Sequence, residues 1–385
     1  MAKFDINNTR YARFWDPKEG PYMLQTILGP EFVRSNHTFY LENFTIDGAI
    51  TPRDKDGIAA FSVMQRELKP SHMMDWRSPL GDTKPEDKGQ LAASTGTIPD
   101  FSTPGYVEQA MERHYKELML EEYFGNDANI VAEYTKTLQE KIDSADQTMS
   151  NMAAQMLSKG QIVYNFGRGN KGGIYKAPIP EKNFSKAGTA VWSVTTTKIL
   201  SQMVEIQKKY EDLWGELPAM KWQIPYDMFV KCFLPNTQVI EWVRYMRNIN
   251  NTPLPESTPM TVELVLQNLT TFPGLYPIEV VYEKQNDWTG TVSGWDSKAA
   301  VLRPAGYAGV IKHAGILDQT IYEKYGSSLI SRVFARTGNG LYTVMNATLN
   351  NGNLMEWHTD LLAAALPVLD EFLNHVIVDT TAADE

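Results

Sequence analysis

The chain has 385 residues, 43% of them hydrophobic and 11% aromatic, and a formal net charge of −10. That length accommodates two or three domains with a substantial core, and the composition is that of a folded chain, not a disordered one. The acidic balance argues against a surface devoted to gripping phosphates, and a single cysteine, Cys232, excludes an intramolecular disulfide framework.

Taken in chain order, the first residues lack an apolar core of signal-peptide length, and no later segment approaches a membrane span. A soluble protein made in a reducing cytoplasm is expected. Residues 1–50 are short aromatic fragments separated by Gly, Pro and Asn, and they read as an extended arm that must lie on something else. Residues 51–105 hold one alternating, strand-like piece at 58–68. After it come Pro70, Pro79, Pro85, Pro99 and Pro104 with glycines between them, a pattern that disfavours regular structure. So long a stretch without structure fits poorly inside a compact domain and reads instead as a protruding loop that orders on a partner. A helix rich in Glu and Lys is expected at 106–123.

From Asp127 to Gly160 the apolar residues Ile130, Tyr134, Leu138, Ile142, Ala145, Met149, Met152 and Met156 recur in steps of three and four. That spacing predicts one amphipathic helix with a single buried stripe. Asp127 is placed to cap its start, and Gly160 to close its end in a left-handed conformation. At roughly 1.5 Å per residue the rod is about 50 Å long. A small globule rarely needs such a rod; a thin, plate-like subunit completed by its neighbours does.

Beyond the rod, strands are expected at 161–166, 221–229, 278–282, 299–302 and 375–379. Helices are expected at 191–210, 237–246, 261–269 and 360–368, and a turn at 287–294. The order is α+β, alternating too irregularly for a doubly wound parallel sheet.

The candidate chemistry is thin. Gly167, Gly169 and Gly172 match G-x-G-x-x-G after a strand, but Pro178 and Pro180 follow and no helix opens at the third glycine. Without that helix N-terminus the pyrophosphate has no seat, so the segment reads as a hairpin turn. His358, Asp360 and His375 resemble a two-histidine, one-carboxylate iron site, as a metal-dependent oxygenase would use. Only fourteen residues separate Asp360 from His375, too few for the strands such a site needs. Cys232 has no local base and reads as a structural thiol. Carboxylate pairs such as Glu121 and Glu122 sit on a solvated helix face. No catalytic, cofactor or metal residue is assigned, and the chain is expected not to be an enzyme.

The order of pieces over residues 105–315 resembles the tailed-bacteriophage major capsid proteins of the lambda major head protein type. A helix ends in an Ala- and Leu-rich turn with Gly and a strand, as in the run from Met152 through Gly160 to Tyr164. A tryptophan opens a helix (Ala190, Val191, Trp192) that ends near Gly215 and Pro218. A Thr-rich start at Thr258 to Thr261 precedes a helix, then a strand carries Pro277, Ile278, Val280, Val281, Tyr282 and Glu283. A return strand runs from Ala300 through Pro304 to Gly309.

The resemblance implies the fold shared by tailed-phage and herpesvirus shells. It divides the chain into an N-terminal arm at 1–50, an extended loop at 51–105 and a peripheral domain at 106–187 with a spine helix at 127–159. An axial domain at 188–315 follows, with a return to the peripheral domain at 316–385. It implies a structural protein that self-assembles into pentamers and hexamers of an icosahedral head enclosing double-stranded DNA, without sequence-specific binding and without a membrane. The implied partners are other copies of the chain, a scaffolding protein, a portal and a decoration protein. The implied location is the virion, assembled in the bacterial host cytoplasm. An encapsulin-like compartment shell is the alternative within the same fold. Some members of that fold join a lysine to an asparagine between subunits. Lys69, Lys84 and Lys88 lie in the loop, but no motif marks that chemistry and none is expected.

Overall fold

The structure, a computed structural model, describes residues 16–28, 39–66, 91–103, 127–164, 173–214, 219–282, 284–287, 290–317, 319, 321, 330–337, 340–351 and 354–383. The expected helix at 106–123 and the lysines at 69, 84 and 88 lie outside them.

Helix α1 (Gly20–Ile27) precedes strand β1 (Phe44–Ile46), a hairpin of β2 (Ala60–Arg66) and β3 (Leu91–Thr97), and β4 (Asp100–Thr103). Next come the long helix α2 (Asp127–Lys159) and a ribbon of β5 (Gln161–Tyr164) and β6 (Gly173–Lys176). Strand β7 (Phe184–Lys186), α3 (Ile199–Trp214) and β8 (Met220–Pro225) lead into α4 (Thr237–Ile249) and α5 (Val262–Leu269). The chain continues through β9 (Ile278–Val281), the ribbon of β10 (Gln285–Asp287) and β11 (Gly290–Val292), β12 (Ala299–Pro304) and β13 (Gly309–His313). It ends in β14 (Ile330–Arg336), β15 (Tyr342–Asn351), β16 (Leu354–Leu369) and β17 (Val376–Asp379).

The 33 residues of α2 form the expected rod, with Asp127 as its first helical residue. Leu138, Ile142, Ala145, Met149, Met152 and Met156 are all buried, as a single stripe requires. Gly160 closes the helix at φ 64, its N–H reaching the Met156 carbonyl at 3.1 Å, a conformation that costs glycine little. The stripe lies on a six-stranded sheet of order β1-β13-β16-β15-β14, with β4 also paired to β16. Tyr342 of β15 donates its hydroxyl to Asp146 of α2 at 2.5 Å, and burial and the adjacent carboxylate push its pKa well up. Helix α1 lies against β14, with Leu24 and Leu28 fully buried, so part of the expected arm packs on its own body.

A second sheet has the order β7-β17-β12-β8-β9. Its strands alternate between two cores, as period-two geometry dictates. Ala299, Val301, Val281 and Ile377 face the core built on α2, while Ala300, Leu302, Val280, Val376 and Val378 face the core built on α3, α4 and α5. This sheet is a shared wall, which is why its central strand β12 is buried on both faces.

Several expectations are corrected. Residues 360–368 are not a helix but the second half of β16, pairing with β15 on one side and with β4 and β13 on the other. The helix expected from 191 begins at Ile199, after turns from Thr189 to Thr197. The strand expected to run to 229 ends at Pro225, where a helical turn and a π-turn (Phe229–Phe233) take over. The loop expected to be structureless carries β3 and β4.

Candidate assembly surface

Two ribbons lie against each other at the edge of the α2 core. In β2 and β3, Phe61, Val63 and Gln65 alternate inward with Ala92, Ser94 and Gly96, in a register that runs from Ala60 opposite Thr97 to Arg66 opposite Leu91. The Phe61 ring meets Tyr175 of β6 edge-on, with centroids 5.5 Å apart, and the Ser94 hydroxyl bonds the Tyr175 hydroxyl. Gln65 donates to Glu371 at 2.9 Å and accepts from the Leu373 N–H at 2.7 Å. The root of the loop is therefore fixed to its own body. The outward faces are mixed but expose large apolar side chains: Met64 and Leu91 among Ser62, Arg66, Thr95 and Thr97 on one ribbon, and the cross-strand pair Val163 and Ile174 on the other. Single exposed apolar residues need no explanation, but paired ones on ribbons mark surfaces that a partner can cover.

The segment before β2 is zipped along β13. Strand β1 pairs with β13 in parallel, and Thr51 N–H reaches the His313 carbonyl at 2.8 Å. Arg53 donates to the Gly315 and Gly57 carbonyls, both at 2.6 Å, and pairs with Asp100. Lys312 pairs with Asp47 at 2.6 Å, and that bond holds the Asp47 carboxyl below the usual carboxylate range. Gly309 has no room for a side chain, because a Cβ there would strike the Val368 carbonyl.

A polar cluster joins this N-terminal segment to the shared wall. Arg303 of β12, fully buried, donates to Gln223 Oε1 at 2.9 Å and to the Pro304 and Gly306 carbonyls at 2.7 and 2.8 Å. Its Nη2 donates to Asn43 Oδ1. Gln223 also donates to Glu279 at 2.7 Å, and Lys221 pairs with that carboxylate at 2.7 Å. Burial pulls the Arg303 pKa down to about 10, against the pull of Glu279. For Glu279, burial pushes upward, but the bonds from Lys221 and Gln223 outweigh it and leave the carboxyl lowered. Each of the three nitrogens of a buried guanidinium thus has a partner, as desolvating it demands. The sequence reading missed this cluster; the available signal was a lone arginine in the apolar run of β12.

Among the described residues, those weighed for catalysis do not gather. His375 is buried, its Nε2 bonded to the Leu157 carbonyl at 2.6 Å, and burial drives its pKa down to about 4. Asp360 is half-buried on β16, and the side chain of His358 lies outside the described residues. Among the described residues no group of three or more His, Cys, Asp or Glu could hold a metal ion. Cys232 is half-buried, and burial raises its thiol pKa despite Lys231 nearby. Gly167, Gly169 and Gly172, with Glu121 and Glu122, lie outside the described residues; the glycines sit between the antiparallel strands β5 and β6, and the third is followed by a strand. No described helix is long and apolar enough to cross a membrane.

No protein-family model matches the chain, and no curated protein matches it in sequence. Solved structures do match. A protein provisionally named the capsid protein of a prophage of E. coli CFT073 superposes with a TM-score of 0.54 at 15% identity, over 93% of this chain and 98% of that one. A phage-related protein from Bordetella bronchiseptica RB50 reaches 0.48 at 12% identity, over 94% and 96%. The capsid subunit of cyanophage A-1(L) reaches 0.44 at 13% identity, over 91% and 94%. The first of these, alike from end to end, shows the fold: this α+β chain has the fold of that prophage capsid protein.

Proposed function

We propose that the chain is a structural protein of a phage head, a major capsid protein whose copies assemble into a closed icosahedral shell around double-stranded DNA. The single observation behind this reading is the end-to-end likeness to the prophage capsid protein, 93% of one chain on 98% of the other. The sequence resemblance supports it independently. In this reading α2 is the spine of a peripheral domain at 106–187 and 316–385, residues 188–315 form an axial domain, residues 1–50 form an arm, and 51–105 form the extended loop. A subunit of this kind works through edges that only another copy covers, and head-to-tail contacts of one patch with a different patch close into rings of five or six. Met64, Leu91, Val163 and Ile174 are such uncovered positions. Scaffolding, portal and decoration proteins are the partners proposed for the shell, the virion its destination and the bacterial cytoplasm its place of assembly. The acidic net charge of −10 suits a container that must not glue its cargo in place.

Electron microscopy of the overexpressed protein tests the reading, with and without the neighbouring genes of its locus. Closed, uniform shells are expected. Monomer alone under every condition would contradict it.

A further inference from the structure

Between the π-turn after β8, helix α4 and the loop before α5 lies a shallow, open dish of about 580 Å³, beside the second core, on which Leu234 and Met260 of its lining also pack. Its lining includes the apolar Val230, Leu234, Ile240 and Met260 and the cationic Lys231 and Arg244. Glu256 also lines it, and the Glu256 carbonyl accepts from Arg244 Nη2 at 2.9 Å. Next to Arg244, Tyr245 and Ile249 stand one turn apart on α4, 56% and 54% exposed. An open apolar depression bordered by cationic side chains, on a helix that also exposes aromatic and aliphatic residues, is what a protein partner covers.

The same unit presents a matching projection. At the C-terminal end of α3, Leu213 is exposed beside the exposed Asp212. The neighbouring Glu211 is already held by the Tyr276 hydroxyl at 2.5 Å, so Asp212 is the carboxylate facing outward. The two features lie at opposite ends of α3. Its first turn is tied to the start of α4, with Leu200 N–H on Gln238 Oε1 at 3.0 Å and Gln238 Nε2 on Ser201 at 2.7 Å. Ile240 and Arg244 of the dish follow on that same helix. Leu213 lies twelve residues beyond Ser201, on the order of 18 Å along the axis.

We infer that the dish receives Asp212 and Leu213 of a second copy, the leucine on the apolar lining and the carboxylate between Lys231 and Arg244. A donor and an acceptor patch at opposite ends of one rod make a head-to-tail contact, which propagates and closes into a ring instead of ending at a dimer. This rests on the shell reading and specifies which surfaces meet within a ring.

The test is a charge exchange in the full chain. Lys231→Glu and Asp212→Lys each set like charges against each other at every contact around the ring, and the repetition multiplies a small pairwise effect. Both positions are exposed, so each variant is expected to keep the thermal unfolding midpoint of the parent. Each single variant is expected to lower the assembled fraction by about tenfold or more, and the double variant to restore it to within about threefold. Singles that assemble like the parent, or a double no better than the singles, overturn the inference while leaving the shell reading intact. A parent chain that never assembles overturns both.

Discussion

His375 Nε2 donates to the Leu157 carbonyl at 2.6 Å, so a buried imidazole caps the last turn of the long helix and ties it to β17. Burial holds the ring neutral, with a pKa near 4 in place of about 6.5. Above pH 6.5 the ring is neutral in folded and unfolded chains, and the full stability is present. As pH falls from 6.5 toward 4 the unfolded chain takes up a proton that the folded chain refuses, so stability declines, by about 3 kcal/mol in total. Urea unfolding of the unassembled protein at pH 7 and pH 5 should show the decline, and His375→Gln should flatten it.

Met149 is fully buried in the middle of the α2 stripe. Met149→Asp sets an unpaired carboxylate there, which costs several kcal/mol, about 4 by the usual burial penalties, and should abolish soluble expression. Lys84→Ala, between β2 and β3 in sequence, should leave the subunit fold intact and at most alter assembly. Soluble yield and circular dichroism decide between them.

The cluster of Arg303, Asn43 and Gln223 should behave as one unit. Arg303→Met leaves Gln223 Oε1 without its donor and Asn43 Oδ1 with only the longer bond from Gln223 Nε2, and a loss of about 2–4 kcal/mol is expected. Asn43→Ala should cost less. In a double-mutant cycle the two should couple by about 1 kcal/mol or more. Additive losses would show that the N-terminal segment and the wall are held together elsewhere.

What the sequence made legible was local. The rod was readable because a helix buried along one stripe keeps its period, and Gly160 marks its end. β16 was misread because Leu361 to Leu366, rich in leucine and alanine, carry high helix propensity. A strand buried on both faces shows no alternation to contradict it, and pairing on both sides decided the conformation. The loop was misread for the opposite reason. Its prolines and glycines hid the short strands β3 and β4, whose partners lie at β2 and at β16, more than 250 residues away in the last case. The assembly surface was the least legible. Exposed residues such as Ile174 and Leu213 look ordinary in sequence, and the Arg303 cluster exists only because Asn43, Gln223 and Arg303 meet across 260 residues.

The most direct test of the central claim, that copies of this chain complete one another, is sedimentation velocity of the purified protein across concentration, salt and crowding. One discrete, fast boundary of closed particles in equilibrium with subunits or small rings is expected, with no continuum of sizes between. A single slow boundary of monomer under all of those conditions would contradict it.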